Sequence, residues 1–248
     1  HTGSSVGVGA SGNELYAWQI YGATNWNGGG LHFSNDYGFG LVDAYQAVRL
    51  AETWSIGRET NVSLEASVSA TQWAFDAATS VATAEFVVTS GLDLQSVTLA
   101  IGSTIALGAF ETVTLVSPDG TTSIVYEAES ISGAVSGSYS WDFLSQAFRG
   151  EASDGIWTLE IDFGTNGVDL TDFTADLEVT GQAASDNDVY YYTSEFSQFG
   201  SGVLADVSGI DTLNTVAIGT DVTIDLTPGA FSILDGGILS LTADTWIE

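Results

Sequence analysis

A chain of 248 residues is long enough for one or two domains with cores of their own, and this one carries 32 Asp and Glu against three basic side chains, Arg49, Arg58 and Arg149, for a net charge of −29. Nucleic acid and anionic membrane surfaces need a basic footprint and are poor partners for it, and the lack of Cys excludes a disulfide scaffold and thiol chemistry. With 44% hydrophobic residues, 29 Gly and 2 Pro, the composition is that of a folded, β-rich protein and not of a disordered acidic one.

The chain begins with His and contains no Met, so it is expected to be a processed or excised segment of something larger. No apolar run reaches membrane-spanning length, and the first residues do not read as a signal peptide, as expected of a segment whose amino-terminal part lies elsewhere. Residues 1–35 are rich in Gly, Ser and Asn with scattered Tyr16, Trp18, Tyr21 and Trp26, a pattern of surface turns packed by aromatics. His1 and His32 are the only histidines, and Asp36 follows His32 closely enough to raise an acid–base pair. No nucleophile-elbow motif accompanies them, so His32 is expected as a surface or packing residue and no catalytic residue is assigned. From Asp36 to Val48 two aromatics and two glycines lead into a helix: Leu41, Ala44, Ala47, Val48 and Ala51 recur at helical spacing, and Asp43 with Gln46 forms a capping-box signature.

Residues 55–74 loosen into Ser, Glu, Thr and Asn and read as a linker or a first strand crossing between domains. Short β-branched or aromatic runs follow at Phe86–Val88, Val97–Ile101, Val113–Val116 and Ile124–Tyr126, with turn signals at Asp119-Gly120, Asp154-Gly155 and Asn166-Gly167. Trp157, Leu159, Ile161 and Phe163 alternate cleanly, as do Phe173, Ala175, Leu177 and Val179 against Thr174, Asp176 and Glu178. Half-buried antiparallel strands packed as a sandwich or jelly roll are the expected fold. After Gln182 the cluster Asp186-Asn187-Asp188 opens a further unit, with Val189–Thr193 as a strand, then Asp206-Val207-Ser208-Gly209-Ile210-Asp211 and Ile224-Asp225-Leu226-Thr227-Pro228-Gly229. Oxygen-rich glycine turns of this kind suit Ca²⁺, which takes about six to eight oxygens, though as a bare pattern they are more often solvated turns.

Three stretches resemble known families. Tyr37-Gly38-Phe39-Gly40-Leu41-Val42-Asp43-Ala44, followed by Ala47-Val48 and Leu50-Ala51, is similar to the closing helix of subtilisin/kexin-type serine protease catalytic domains. That resemblance covers about 25–54 and implies that a catalytic triad lies upstream of His1. Leu115-Val116-Ser117-Pro118-Asp119-Gly120-Thr121, then Trp141 and Phe143, then Gly150-Glu151 and Gly155-x-Trp157-Thr158-Leu159 resemble the P domain, the β-sandwich that follows the catalytic domain in kexin-like proteases. Phe110-Glu111 stands where family members often carry Asp-Leu, and Arg149 where Trp is common. The order from Asp206 through Asp211-Thr212-Leu213 to Pro228-Gly229 and Trp246-Ile247-Glu248 resembles the segment that introduces the calcium-binding RTX repeats of serralysin-type secreted proteins. By that resemblance Asp206, Asp211 and Glu248 supply carboxylate oxygens to calcium and Ser208, Gly209 and Trp246 supply carbonyls, with backbone oxygens of Asn187, Val189 and Tyr191 as weaker candidates.

The expectation is therefore a mainly β chain: 1–54 the end of a subtilase catalytic domain, 55–74 a linker, 75–182 a jelly-roll P domain, and 183–248 the start of an RTX-like calcium-binding region. Its function would be that of the non-catalytic carboxyl-terminal portion of a secreted, calcium-dependent serine endopeptidase. Its partners would be the upstream catalytic domain and, through the parent, protein substrates. The rival from another class is a non-enzymatic, calcium-stabilised surface or adhesion protein built from the same modules.

Overall fold

The computed structural model describes residues 16, 18–53, 64–103, 111–128, 139–164 and 173–247. The chain divides into two compact units, one formed by His1–Asn61 with Ala184–Glu248 and the other by Val62–Ala183.

In the first unit, β1 (Gln19–Ile20) pairs antiparallel with β2 (His32–Phe33), and helix α1 spans Ala44–Thr53. Between β1 and β2 the chain turns at Trp26, whose carbonyl accepts the amides of Gly29 and Gly30. Gly30 has φ +95°, and a Cβ there would lie 1.8 Å from the Tyr21 carbonyl oxygen, so only glycine permits this approach. The cap of α1 forms through Asp43, but the reciprocal capping-box bond from the Asp43 amide to Gln46 Oε1 is not made. Asp43 accepts the Gln46 backbone N–H at 3.0 Å and its side-chain amide at 3.1 Å, and the backbone bond holds the Asp43 carboxyl below its usual pKa. The helix buries Gln46 and Leu50, while all five residues of the predicted apolar stripe, Leu41, Ala44, Ala47, Val48 and Ala51, are exposed, so the face that packs is a different one.

The second unit is a sandwich of antiparallel strands: β3 (Leu64–Ser69), β4 (Thr71–Asp76), β5 (Val81–Val88), β6 (Leu92–Ser103), β7 (Thr112–Val116), β8 (Thr122–Glu127), β9 (Tyr139–Ser145), β10 (Gly155–Asp162) and β11 (Thr174–Ala183). One sheet runs β4-β5-β10-β7-β8 and the other β3-β11-β6-β9. Their inward residues form one core, with Phe86, Leu99, Leu115, Trp157, Leu159, Ile161 and Leu177 each at 0% exposure, and burial of each such side chain is worth roughly 1.5–3 kcal/mol. The alternation read in β10 and β11 is the observed burial pattern. The sheets begin at Leu64, inside the stretch expected as a linker. Here β3 is an edge strand whose Ala66 and Val68 pack on the core while its other positions face water, which explains its loose, polar look. Leu64 pairs with Gly181, so the two ends of the sandwich are neighbours in one sheet. Asn166-Gly167 and Phe110 lie outside the described residues.

The first and third sequence motifs of this unit meet in space, while Trp141 and Phe143 lie in β9, paired with Ile101 and Leu99 of β6. Thr121 closes the Ser117–Thr121 turn through its amide, which donates to Ser117 Oγ, and donates its hydroxyl to the Glu151 carboxylate, which is 1% exposed. Gly150 and Glu151 in turn bracket Leu94 of β6 with two backbone bonds of 2.8 and 2.9 Å. Pro118 sits where a Cβ on Gly155 would come within 2.7 Å, and the Trp157 indole N–H donates to the Ser153 carbonyl at 2.9 Å. Arg149 is exposed, and the Glu151 side chain is turned inward to the turn.

The rest of the first unit comprises β12 (Val189–Thr193), α2 (Phe196–Phe199), β13 (Val203–Leu204), β14 (Thr212–Ala217), β15 (Val222–Thr223), β16 (Phe231–Leu234) and β17 (Gly237–Leu241). β12 and β14 are parallel, and a small sheet runs β13-β17-β16-β15. The run Tyr190-Tyr191-Tyr192 is buried on both faces, and its period of two divides it between two cores. Tyr190 and Tyr192 join Phe196, Leu204, Leu239 and Leu241, whereas Tyr191 joins Leu50, Ala217 and Trp26. A strand apolar on both faces needs cover on both. Residues 18–53 supply the second cover, so the segments expected as the end of one domain and the start of another form a single unit. Trp26 stacks on Tyr191 with ring centroids 4.7 Å apart. Asn25 and Asn27 bond both backbone groups of Tyr191 at 2.8 Å, and the buried Asn27 side chain accepts the Thr193 amide at 2.8 Å.

Candidate metal centre

Asp188 and Asp211 stand immediately before two parallel strands whose first residues, Val189 and Thr212, are in register. That placement brings their side chains together. The Asp188 amide donates to Asp211 Oδ1 at 2.9 Å, and the Thr212 amide donates to the Asp188 carbonyl at 2.8 Å. Asp206 arrives from the loop after β13; its amide donates to Thr245 Oγ1 at 3.0 Å, and its Oδ1 accepts the Ser208 amide at 3.1 Å. One carboxylate oxygen from each of Asp188, Asp206 and Asp211 lies within 4.8 Å of the others. Three like charges at that spacing would repel by roughly 3 kcal/mol per pair at a surface-like effective dielectric.

Tyr190 completes the cluster. Its hydroxyl donates to Asp206 Oδ2 at 2.5 Å, and its pKa is pushed up by burial first, then by that bond and by the charges of Asp188, Asp206 and Asp211. The phenol thus stays a donor and fixes the Asp206 carboxylate. The loop between Asp206 and Asp211 closes through Gly209, at φ +107°, where a Cβ would lie 1.5 Å from the Asp186 carbonyl oxygen; glycine is obligatory. The Ile210 amide donates to Asn187 Oδ1 at 2.8 Å, tying the loop to the acidic run before β12. Asp211 is buried, while Asp188 and Asp206 are half-buried.

Of the site residues read from the sequence, Asp206 and Asp211 come together. Ser208 and Gly209 lie in the loop joining them, exposed. Trp246 follows Thr245, the residue that caps the Asp206 amide, and its side chain is exposed; Glu248 lies outside the described residues. The Tyr191 carbonyl is engaged by the Asn27 amide. Asp188 was missed as a side-chain donor. Its signal was the acidic run Asp186-Asn187-Asp188, but only the parallel pairing of β12 with β14 carries it to Asp211.

The other buried acid–base contact is elsewhere in this unit. His32 Nδ1 lies 3.6 Å from Glu195 Oε2 with both side chains buried, and the edge of Trp18 packs on the ring. Burial holds the His32 pKa below its usual value. Asp36 instead accepts the Tyr16 amide at 2.8 Å, so His32 is a packing residue.

Residues 95–175, inside the sandwich, match the family described as the Proprotein convertase P-domain. The chain is 29% identical over 138 residues to Protease KEX1 of Kluyveromyces lactis, covering 53% of this chain and 18% of that protein. It is 29% identical over 140 residues to Proprotein convertase subtilisin/kexin type 5 of Branchiostoma californiense, covering 54% of this chain and 8% of that one. Among solved structures, the serine protease of Aeromonas sobria in complex with its chaperone aligns with TM-score 0.52 and 22% identity over 68% of this chain and 34% of that one. The chain therefore spans only a minor part of each relative's length. No helix among the described residues is long and apolar enough to cross a membrane. In sequence and in fold, the β-sandwich of this chain is similar to the P domain of kexin-like proteases.

Proposed function

We propose that the chain is the non-catalytic carboxyl-terminal portion of a secreted, calcium-dependent subtilisin/kexin-like serine endopeptidase, in which the sandwich stabilises the catalytic domain. The observation that carries this reading is the convergence of the first and third P-domain motifs on one corner of the sandwich, through Thr121–Glu151 and Pro118–Gly155, with Trp157 held to Ser153 beside them. In the parent, peptide hydrolysis would come from a serine, histidine and aspartate upstream of His1. The test is expression of the parent protease with and without residues 62–183. The reading expects soluble, active enzyme only when the sandwich is present. Equal activity of the truncated enzyme, or serine-inhibitor-sensitive proteolysis by residues 1–248 alone, would sink it.

Calcium belongs to the same proposal. The donor set fits a hard cation: three carboxylates converge, two of them half-buried, and glycine lets the connecting loop close over them. Asp188, Asp206 and Asp211 would hold the ion with carbonyls of the 206–211 loop, and its charge would offset their mutual repulsion. Calorimetric titration of residues 1–248 with calcium chloride checks this, and no heat of binding would remove calcium from the proposal.

A further inference from the structure

We propose that a cation at Asp188, Asp206 and Asp211 locks residues 18–53 onto the carboxyl-terminal half of their unit, so that metal binding and docking of the amino-terminal segment are thermodynamically linked. The inference rests on the calcium reading above and concerns what the chain does with the ion. Asp188 and Asp211 each precede a strand of the parallel pair, and Asp206 is tied to Tyr190, one residue into β12. A cation bridging the three carboxylates therefore fixes the start and register of β12 against β14. Without it, like charges crowd the end of a short parallel ladder whose register already shifts between Tyr191 and Thr193.

Those two strands are the surface on which residues 18–53 dock. β12 offers both backbone groups of Tyr191 to Asn25 and Asn27, the Tyr191 ring to Trp26, and Thr193 to the Asn27 side chain. From β14, the Asn214 side-chain amide donates to Thr53 Oγ1 at 2.9 Å and the Val216 carbonyl accepts Arg49 Nε at 3.3 Å. Leu50 of α1 packs between Tyr191 and Ala217. Loosening the β12–β14 ladder at its metal end removes the geometry on which all these contacts depend.

Linkage is reciprocal: if calcium strengthens docking, weakening the dock must weaken calcium binding by the same factor. Asn27 has φ 50°, so Asn27→Gly removes the side-chain bonds to Thr193 without backbone strain and touches no candidate ligand. Hydrogen exchange on residues 1–248 in calcium chloride and in chelator reads the first arm. Calcium is expected to raise protection of 24–31 and 44–53 together with 188–193 and 211–217, leaving 92–103 and 155–162 of the sandwich unchanged. Titration reads the second: Asn27→Gly is expected to weaken calcium affinity on the order of fivefold or more, as Asp188→Asn does from within the site. Calcium binding that protects only 206–211, with Asn27→Gly at wild-type affinity, overturns the linkage and leaves the calcium reading standing. Absence of any calcium binding by the wild-type chain overturns both. Wild-type affinity in Asp188→Asn removes that residue from the site and with it the bridge to β12.

Discussion

Replacing Thr121 by Val tests whether the convergence of motifs in the sandwich is an energetic unit. Valine keeps the shape and burial of threonine and removes only the hydroxyl that donates to the Glu151 carboxylate. Thr121 is 2% exposed and Glu151 1%, so water does not readily replace the lost donor. Leaving a buried acceptor short of a partner costs about 1–3 kcal/mol, more where the group is charged. At roughly 4 °C per kcal/mol for a unit of this size, the midpoint should fall by about 4–12 °C. Thermal unfolding of residues 1–248, followed by near-ultraviolet circular dichroism of Trp157 and its neighbours, measures it. Glu151→Gln keeps an acceptor for Thr121 and should cost less. A Thr121→Val midpoint within about 1 °C of wild type would refute the idea that this bond joins the turn to the Gly150-Glu151 corner.

Gly30→Ala should destabilise the first unit by more than about 3 kcal/mol, since the new Cβ meets the Tyr21 carbonyl at 1.8 Å and the backbone is left-handed; a denaturation midpoint equal to wild type would contradict it. Under the calcium proposal the ion should add about 2.7 kcal/mol of stability at 100-fold excess over the dissociation constant, and Asp211→Asn should abolish the accompanying rise in melting midpoint; an undiminished rise in the variant would exclude Asp211. The His32 pKa is lowered from 6.5 by burial, which outweighs Glu195 beside it, so its contribution to stability is full above the unfolded-state value and is lost as pH falls below it. Urea midpoints should therefore drop from pH 7.5 toward about pH 5.5 and drop less in His32→Gln; identical slopes would refute this.

The sandwich was legible because its signals are local. Period-two alternation in β10 and β11 and the glycine turns each lie within a few residues, and the core follows from them. β3 was ambiguous because an edge strand shows the core only Ala66 and Val68, too little to lift Leu64–Ser69 above a polar linker. The joining of residues 18–53 with 184–247 was not legible at all. Asn27 and Thr193 are 166 positions apart, and nothing in Tyr190-Tyr191-Tyr192 says which aromatic covers which face. The same blindness hid Asp188: loop composition pointed to Asp206 and Asp211, but the third carboxylate reaches them only through strand pairing.

The pairing of Leu64 with Gly181 bears on how the molecule assembles. While the sandwich is unfolded, residues 18–53 and 184–247 are joined by a tether of well over a hundred residues. Once it folds, those two positions are adjacent and the tether contracts to the short stretches on either side. Loop-closure entropy grows as about 1.5RT times the logarithm of length, so a folded insert makes the later meeting easier by roughly 1–2 kcal/mol. The sandwich thus acts as a splint for the discontinuous unit: it should fold first, and the two ends of the chain should come together last.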